Sequence, residues 1–275
     1  MQSGDYMIEQ VFKKFMKVSS LGIQQSLEYR TDFFVSLISV PIIVVVQYYF
    51  WKAVYTNSNE VFTYSFNQMI FYILTAQLIS KVVSSGFEDE IQHDIKNGGL
   101  NKYIVIPMSY TLYHFSKFIG GKLLQTALVG TILSFIIVSF YLETGNQIEL
   151  NRLVLFILSI INAFLLTFSF YFTLAALCFY FHELGYFFMA LRLITGVASG
   201  ALFPLHIFGK EAFEAMKFLP FMYMINFPVN IIYEKISISD TIFGVLTSFV
   251  WILILFSMMI LVWKTSSNKY ISAGG

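Results

Sequence analysis

The chain has 275 residues, 57% of them hydrophobic and only 12% charged, with a formal net charge of +1 and a mean hydropathy of +0.71. Soluble domains carry about 25% charged residues, so this deficit, with 31 Phe and 17 Tyr, places the chain in the membrane class. The near-neutral balance excludes the basic patch that nucleic acid requires, and the single cysteine, Cys178 in an apolar run, excludes an intrachain disulfide and a multi-cysteine metal site.

Residues 1–30 are polar and interrupted by Lys13, Lys14 and Lys17. They lack a short apolar core followed by a small-residue cleavage site, so they do not read as a secretory signal. The first span is expected to act as its own uncleaved insertion signal. Ile8, Val11, Phe12, Phe15 and Val18 recur at helical spacing, with Glu9, Lys13, Lys14 and Lys17 off that face. The pattern predicts an amphipathic helix on the inner leaflet, its lysines near anionic lipid.

Six apolar runs come next, at 33–51, 62–83, 118–141, 153–180, 186–205 and 242–263. Each approaches the roughly 20 residues needed to cross a bilayer core. Backbone groups in lipid must be satisfied within the segment, and the runs do not alternate in hydropathy, so they are read as helices and not as barrel strands.

Two segments between these runs are not simple connections. Residues 86–110, GFEDEIQHDIKNGGLNKYIVIPMSY, form the longest charged interruption. Glu88, Asp89, Glu90 and Asp94 crowd into a predicted short helix over 87–96, most of them near its N-terminus, where the macrodipole favours acids. Asn97-Gly98-Gly99 ends that helix, and Pro107 breaks the short apolar stretch 100–106. A bare link between spans would not need such a segment, and a soluble partner could grip it. The second, 203–240, is too apolar for a free loop. Phe208, Ala212, Ala215, Met216 and Leu219 share one helical face, and Lys210, Glu211, Glu214 and Lys217 the other. Pro220 and Pro228 break the segment into pieces too short to span, which predicts a re-entrant or interfacial helical hairpin over 206–238.

Orientation is read from Lys and Arg. With both termini cytoplasmic, only Lys52, Arg152, Lys210, Lys217 and Lys235 of the 17 Lys and Arg residues fall outside. The 86–110 segment is then cytoplasmic.

The search for chemistry returns little. Gly120-Gly121-Lys122 is followed by Leu123, so no Walker A loop is present and ATP hydrolysis by that route is not expected here. His182-Glu183 lacks the second histidine of an HExxH metal motif, and no GxSxG elbow occurs. Lys81, Lys122, Glu183 and Arg192 lie near predicted span ends, where snorkelling accommodates them. Inside the spans the polar residues are neutral: Gln47, Gln68, Gln77, Gln125 and Asn162. They fit either interhelical hydrogen bonding or a path for an amphiphilic substrate. The lack of buried charge argues against a proton- or sodium-coupled pump. The rival classes are a secondary transporter or channel and, third, a membrane enzyme.

The stretches LEYRTDFFVSLISVPIIVVVQYYFWKAVY (27–55), IKNGGLNKYIVIPMSYTLYHFSKFIGGKL (95–123), SGALFPLHIF (199–208) and FLPFMYMINFPVNII (218–232) together resemble the type-2 ABC transporter permeases, in the branch of small six-span exporter subunits. The likeness runs over nearly the whole chain. It implies a permease subunit with no ATPase of its own and no bound cofactor or metal, ATP and Mg residing on a separate P-loop ATPase subunit. The helix after the second span would be a coupling helix contacting that subunit through Phe87, Glu88, Asp89, Glu90, Ile91, His93 and Asp94, with His182 and Glu183 as a second contact. Two permeases, identical or sister chains, would pack together in the membrane lipid, with Gln47, Tyr48, Phe71, Gln77 and Thr195 along the substrate path. The expected fold is an all-α integral membrane protein of the plasma membrane: an interfacial helix in 1–30, then a six-span domain over 31–275 with a coupling helix and an outer re-entrant hairpin. The expected cargo is amphiphilic or hydrophobic: a drug, lipid or antimicrobial peptide.

Overall fold

The computed structural model describes residues 2–28, 30–57, 60–61, 64–145, 149–181, 183–233 and 235–268. Helix α1 (Gln2–Glu28) leads into α2 (Arg30–Val54), which carries Pro41. A minimal antiparallel hairpin, β1 (Glu60–Val61) with β2 (Tyr64–Ser65), precedes α3 (Phe66–Val83). Ser65 caps α3, accepting from the Gln68 amide while the Gln68 side chain accepts from Ser65, a reciprocal capping box. Then come α4 (Phe87–Lys96), the single turn α5 (Asn101–Ile104), α6 (Tyr110–Thr144) and α7 (Leu150–Ala175). The last third holds α8 (Gly185–Ala198), α9 (Lys210–Met216), α10 (Asn226–Ile232) and α11 (Ile238–Ser267).

Four helical stretches among the described residues are long and apolar enough to cross a membrane: Phe66–Lys96, Tyr110–Thr144, Leu150–Phe179 and Ile238–Ser267. The other two expected spans are shorter. The described apolar part of α2 is Ile38–Val54, and α8 has 14 residues. At about 1.5 Å per residue, α8 reaches roughly 21 Å against a hydrocarbon core of about 30 Å. The cause is local. Gly200 takes φ +83°, and a Cβ there would lie 2.7 Å from the Tyr72 hydroxyl and 2.8 Å from the Asn226 Cβ. The chain therefore turns away at Ser199-Gly200, inside the apolar run.

That turn opens the broken segment on which α9 and α10 sit. All of α10 is buried, and neutral hydrogen bonds hold it. Tyr64 Oη donates to Asn230 Oδ1 at 2.6 Å. Asn230 Nδ2 donates to Asn226 Oδ1 at 3.0 Å, and Asn226 Nδ2 reaches Tyr72 Oη at 3.0 Å. Tyr72 Oη in turn donates to the Gly200 carbonyl at 2.8 Å. Tyr141 Oη donates to the Ile232 carbonyl at 3.0 Å, and Tyr233 Oη meets Thr75 Oγ1. The segment is thereby fastened to α3 at Tyr72 and Thr75, one turn apart, and to α6 at Tyr141.

Helix α1 lies along the first half of α6. Ser19 Oγ donates to the Ser116 carbonyl at 3.0 Å, Ser26 Oγ to the Gly121 carbonyl at 2.9 Å, and Lys14 Nζ to the Pro107 carbonyl at 3.1 Å. A Cβ on Gly120 would strike the Ser19 carbonyl. The two backbones approach through small residues, as helices in lipid do. The expected apolar face is consequently divided. Phe15 and Val18 turn toward α6, Val11 and Phe12 stay exposed, and the Ile8 side chain lies outside the described residues. Hydropathy spacing ranks side chains by apolarity, whereas this contact selects them by size.

Candidate functional site

Helix α4 is where charge concentrates. Ser85 and Gly86 connect it to α3, and Glu88 folds back over that link. Its carboxylate accepts from the Gly86 amide at 2.7 Å and from Ser85 Oγ at 3.1 Å. At the other end the Asn97 amide bonds the His93 carbonyl, the Leu100 amide bonds the Asp94 carbonyl, and Gly98 adopts φ +72°. Ile91 and Ile95 face inward and are buried beside Phe118, Phe168, Phe172 and Phe188. Phe87 joins them, its ring 5.1 Å from Phe118 and 5.0 Å from Phe168.

All four acids of α4 have cationic partners. Glu88 is fully buried and pairs with Arg192 of α8 at 2.6 Å, and the same Nη1 reaches Asp89 at 3.2 Å. Glu90 pairs with Lys117 of α6 at 2.6 Å. Asp94, also buried, accepts from Lys102 at 2.8 Å and from Tyr110 Oη at 3.0 Å. Burial alone would raise the Asp94 carboxyl, but hydrogen bonds from Lys102, Tyr103 and Tyr110 outweigh it and hold the group below its ordinary value. Lys96 meets Glu183 at 3.0 Å, both exposed; such surface pairs contribute little, about 0–1 kcal/mol.

These bonds sort the sequence-derived site residues. Glu88, Ile91 and Asp94 are buried, and Phe87 and Glu90 are half-buried. Asp89 and His93, with Lys96, lie one turn apart on the exposed strip of α4. Glu183 is joined to α4 through Lys96; His182 lies outside the described residues. The path candidates are dispersed. Gln47 is buried with Oε1 unpaired, and Tyr48 packs edge-on against Phe66. Phe71 packs against Phe140, and Gln77 Nε2 donates to the Ala201 carbonyl at 2.8 Å. Thr195 is hydrogen-bonded to Tyr171 at 2.6 Å and lines a cleft of about 170 Å³ with Ser80, Ser84 and Arg192.

Sequence reasoning missed Arg192. Placement near a span end made snorkelling a sufficient account, yet the guanidinium bridges two acids of α4. The signal was present: an arginine within an apolar run is expected to have a carboxylate partner. Lys117 was equally silent, since nothing in its neighbourhood along the chain identifies Glu90.

A family model described as ABC-2 family transporter protein matches residues 41–274 of the chain. No curated protein and no solved structure matches it.

Proposed function

The chain belongs to the ABC-2 family of transporter proteins, and we propose that it is the membrane permease subunit of an ATP-driven exporter, powered by a separate P-loop ATPase. It is a multi-pass membrane protein. In our reading it sits in the plasma membrane with six crossings, α2 and α8 completing the set, and with both termini and α4 on the cytoplasmic side. One observation carries the reading. Helix α4 is bonded on its inner faces to α6 and α8 through Glu90–Lys117 and Glu88–Arg192, while Asp89, His93 and Lys96 remain exposed. A helix so held passes a push received on its exposed strip to two spans at once. The ATPase would bind ATP and Mg; this chain supplies the docking strip and the route. A second permease, identical or sister, would complete the path, with Gln47, Tyr48, Phe71, Gln77 and Thr195 as its first residues to test. An uncharged, aromatic lining fits an amphiphilic or hydrophobic cargo.

The test is co-expression with the ATPase encoded nearest to this chain, followed by purification and reconstitution. The expected result is a stable complex whose ATP hydrolysis changes on reconstitution with the permease. Asp89→Lys combined with His93→Glu should weaken the complex or uncouple hydrolysis while the permease itself stays folded. Failure to recover any P-loop ATPase, or an unchanged complex with the double variant, would overturn the proposal.

A further inference from the structure

On the same side of the molecule as α4, a cavity of about 580 Å³ opens between α1, the first turn of α4 and α6. Gly22 and Ser26 form one wall, Gly86 the rim, and His114, Lys117 and Lys122 the other wall. Two of these side chains lack a match, one in charge and one in hydrogen bonding.

The first is Lys122. Its ammonium donates to the Lys81 carbonyl at 2.9 Å, to Ser84 Oγ at 2.8 Å and to Gln125 Oε1 at 3.2 Å. All three acceptors are neutral. Among the described residues no carboxylate comes within ion-pairing distance of it; Glu88 nearby is engaged by Arg192. The lining also holds Lys117 and Glu90, which neutralise one another at 2.6 Å. With Lys122 in its ammonium form the cavity wall therefore carries a surplus of one positive charge. A half-desolvated cation with neutral partners alone is costly, and an anion beside it recovers much of that cost.

The second is His114, only 1% exposed, with neither ring nitrogen hydrogen-bonded. Asp94 Oδ2 is 3.8 Å from Nε2, too far for a hydrogen bond. A neutral imidazole has one N–H to donate. The Gly86 amide already serves Glu88 and all three N–H bonds of Lys122 are engaged, so Lys122 offers an occupant its charge and His114 offers an N–H.

We propose that this cavity binds a phosphate diester, the headgroup of an anionic phospholipid in the adjoining leaflet. The charge fits: a diester carries one negative charge and matches the surplus, whereas a phosphate monoester carries about −1.5 to −2 at neutral pH. The surroundings fit as well. Helix α1, which supplies one wall, exposes Val11, Phe12, Met16, Leu21 and Leu27, apolar surface suited to acyl chains beside the headgroup. A lipid so placed touches α1, α4 and α6 together, and it sets the resting position of α4. Only the choice of leaflet rests on the cytoplasmic placement of α4 proposed above.

The test uses the purified full chain in neutral detergent and needs no ATPase, so its failure is separable from failure of the exporter reading. Thermal unfolding is followed while phosphatidylglycerol, phosphatidylcholine or inorganic phosphate is added. Phosphatidylglycerol should raise the midpoint saturably, and the other two should not. Lys122→Gln should weaken the half-saturating concentration by about tenfold or more, the scale of one lost charge-assisted contact, and Lys122→Arg should restore it. Lys217→Gln, at the opposite end of the molecule, should leave it unchanged. If Lys122→Gln does not fold, His114→Phe takes its place with the same expected loss. Equal stabilisation by phosphatidylcholine, or an undiminished phosphatidylglycerol effect in the variants, overturns the site. Stabilisation by inorganic phosphate alone overturns the lipid assignment, because a free anion then occupies it.

Discussion

The two ends of α3 are secured by different chemistry. Through its middle turns, toward the end that our reading places outside, Tyr72, Thr75 and Gln77 bind the broken segment through neutral hydrogen bonds that are entirely buried. Just beyond the end that our reading places inside, α4 is held by ion pairs, several with one partner partly exposed, such as Arg192 at 39%. Buried neutral networks are insensitive to salt and unforgiving of a missing member. Half-exposed ion pairs are weaker, screened by salt and easily exchanged. In our reading the outer end is built to stay and the inner end to yield, which suits the coupling role proposed for α4.

The contrast is broken most directly at Asn226. Asn226→Leu removes the acceptor and donor that link Asn230 to Tyr72 and leaves buried amide and hydroxyl groups unmatched. We expect a loss of about 2–4 kcal/mol, the largest of the set, measured by denaturant unfolding in detergent micelles. A change below about 0.5 kcal/mol, the scale of an ordinary surface substitution, would show that the outer block is not rigid in this way. Gly120→Ala should rank second, at about 1–3 kcal/mol, since overpacking forces backbone shifts. Its signature is faster tryptic cleavage after Lys13 and Lys17 as α1 lifts from α6; an unchanged digestion rate would mean that the close crossing does not hold α1.

A double-mutant cycle on Glu88→Ala and Arg192→Ala sharpens the inner half. The expected coupling is about 1–2 kcal/mol, below that of a fully enclosed pair because Arg192 reaches solvent. It should shrink as salt rises, whereas the Asn226 effect should not. Salt-independent coupling would erase the distinction between the two ends. Smallest in stability is Asp89→Ala, expected within about 0.5 kcal/mol of the parent, with its effect read instead in association with the ATPase. A large loss of stability there would place Asp89 among the structural pairs with Glu88.

Much of this architecture is visible along the chain, because the signals are local. Apolar runs mark α3, α6, α7 and α11 as membrane helices. The acids and the Asn97-Gly98-Gly99 turn around α4, and Pro220 and Pro228 in the broken segment, are likewise signals a few residues long. The length of α8 was not legible. Its apolar run continues, and the helix stops because Tyr72 and Asn226, distant in sequence, occupy the space next to Gly200. The pairing of Glu88 with Arg192 spans 104 positions and has no periodicity to betray it. The α1–α6 crossing depends on Ser19, Gly22 and Gly120, small residues that hydropathy scarcely registers. Partition of α4 into buried and exposed faces is set by those distant partners, so acids that look equivalent in sequence differ in what they can touch.

The α1–α6 crossing also constrains how the protein is made. Ser19 and its acceptor Ser116 are separated by 97 positions. At a synthesis rate of roughly 5–20 residues per second, α1 leaves the ribosome roughly 5–20 s before its docking surface exists. Through that interval Val11, Phe12, Met16, Leu21 and Leu27 have no protein to cover them. Their exposure in the finished fold leaves that face free throughout: in our reading the nascent helix rests on the bilayer surface until α6 emerges, then settles against it through the serine and glycine side.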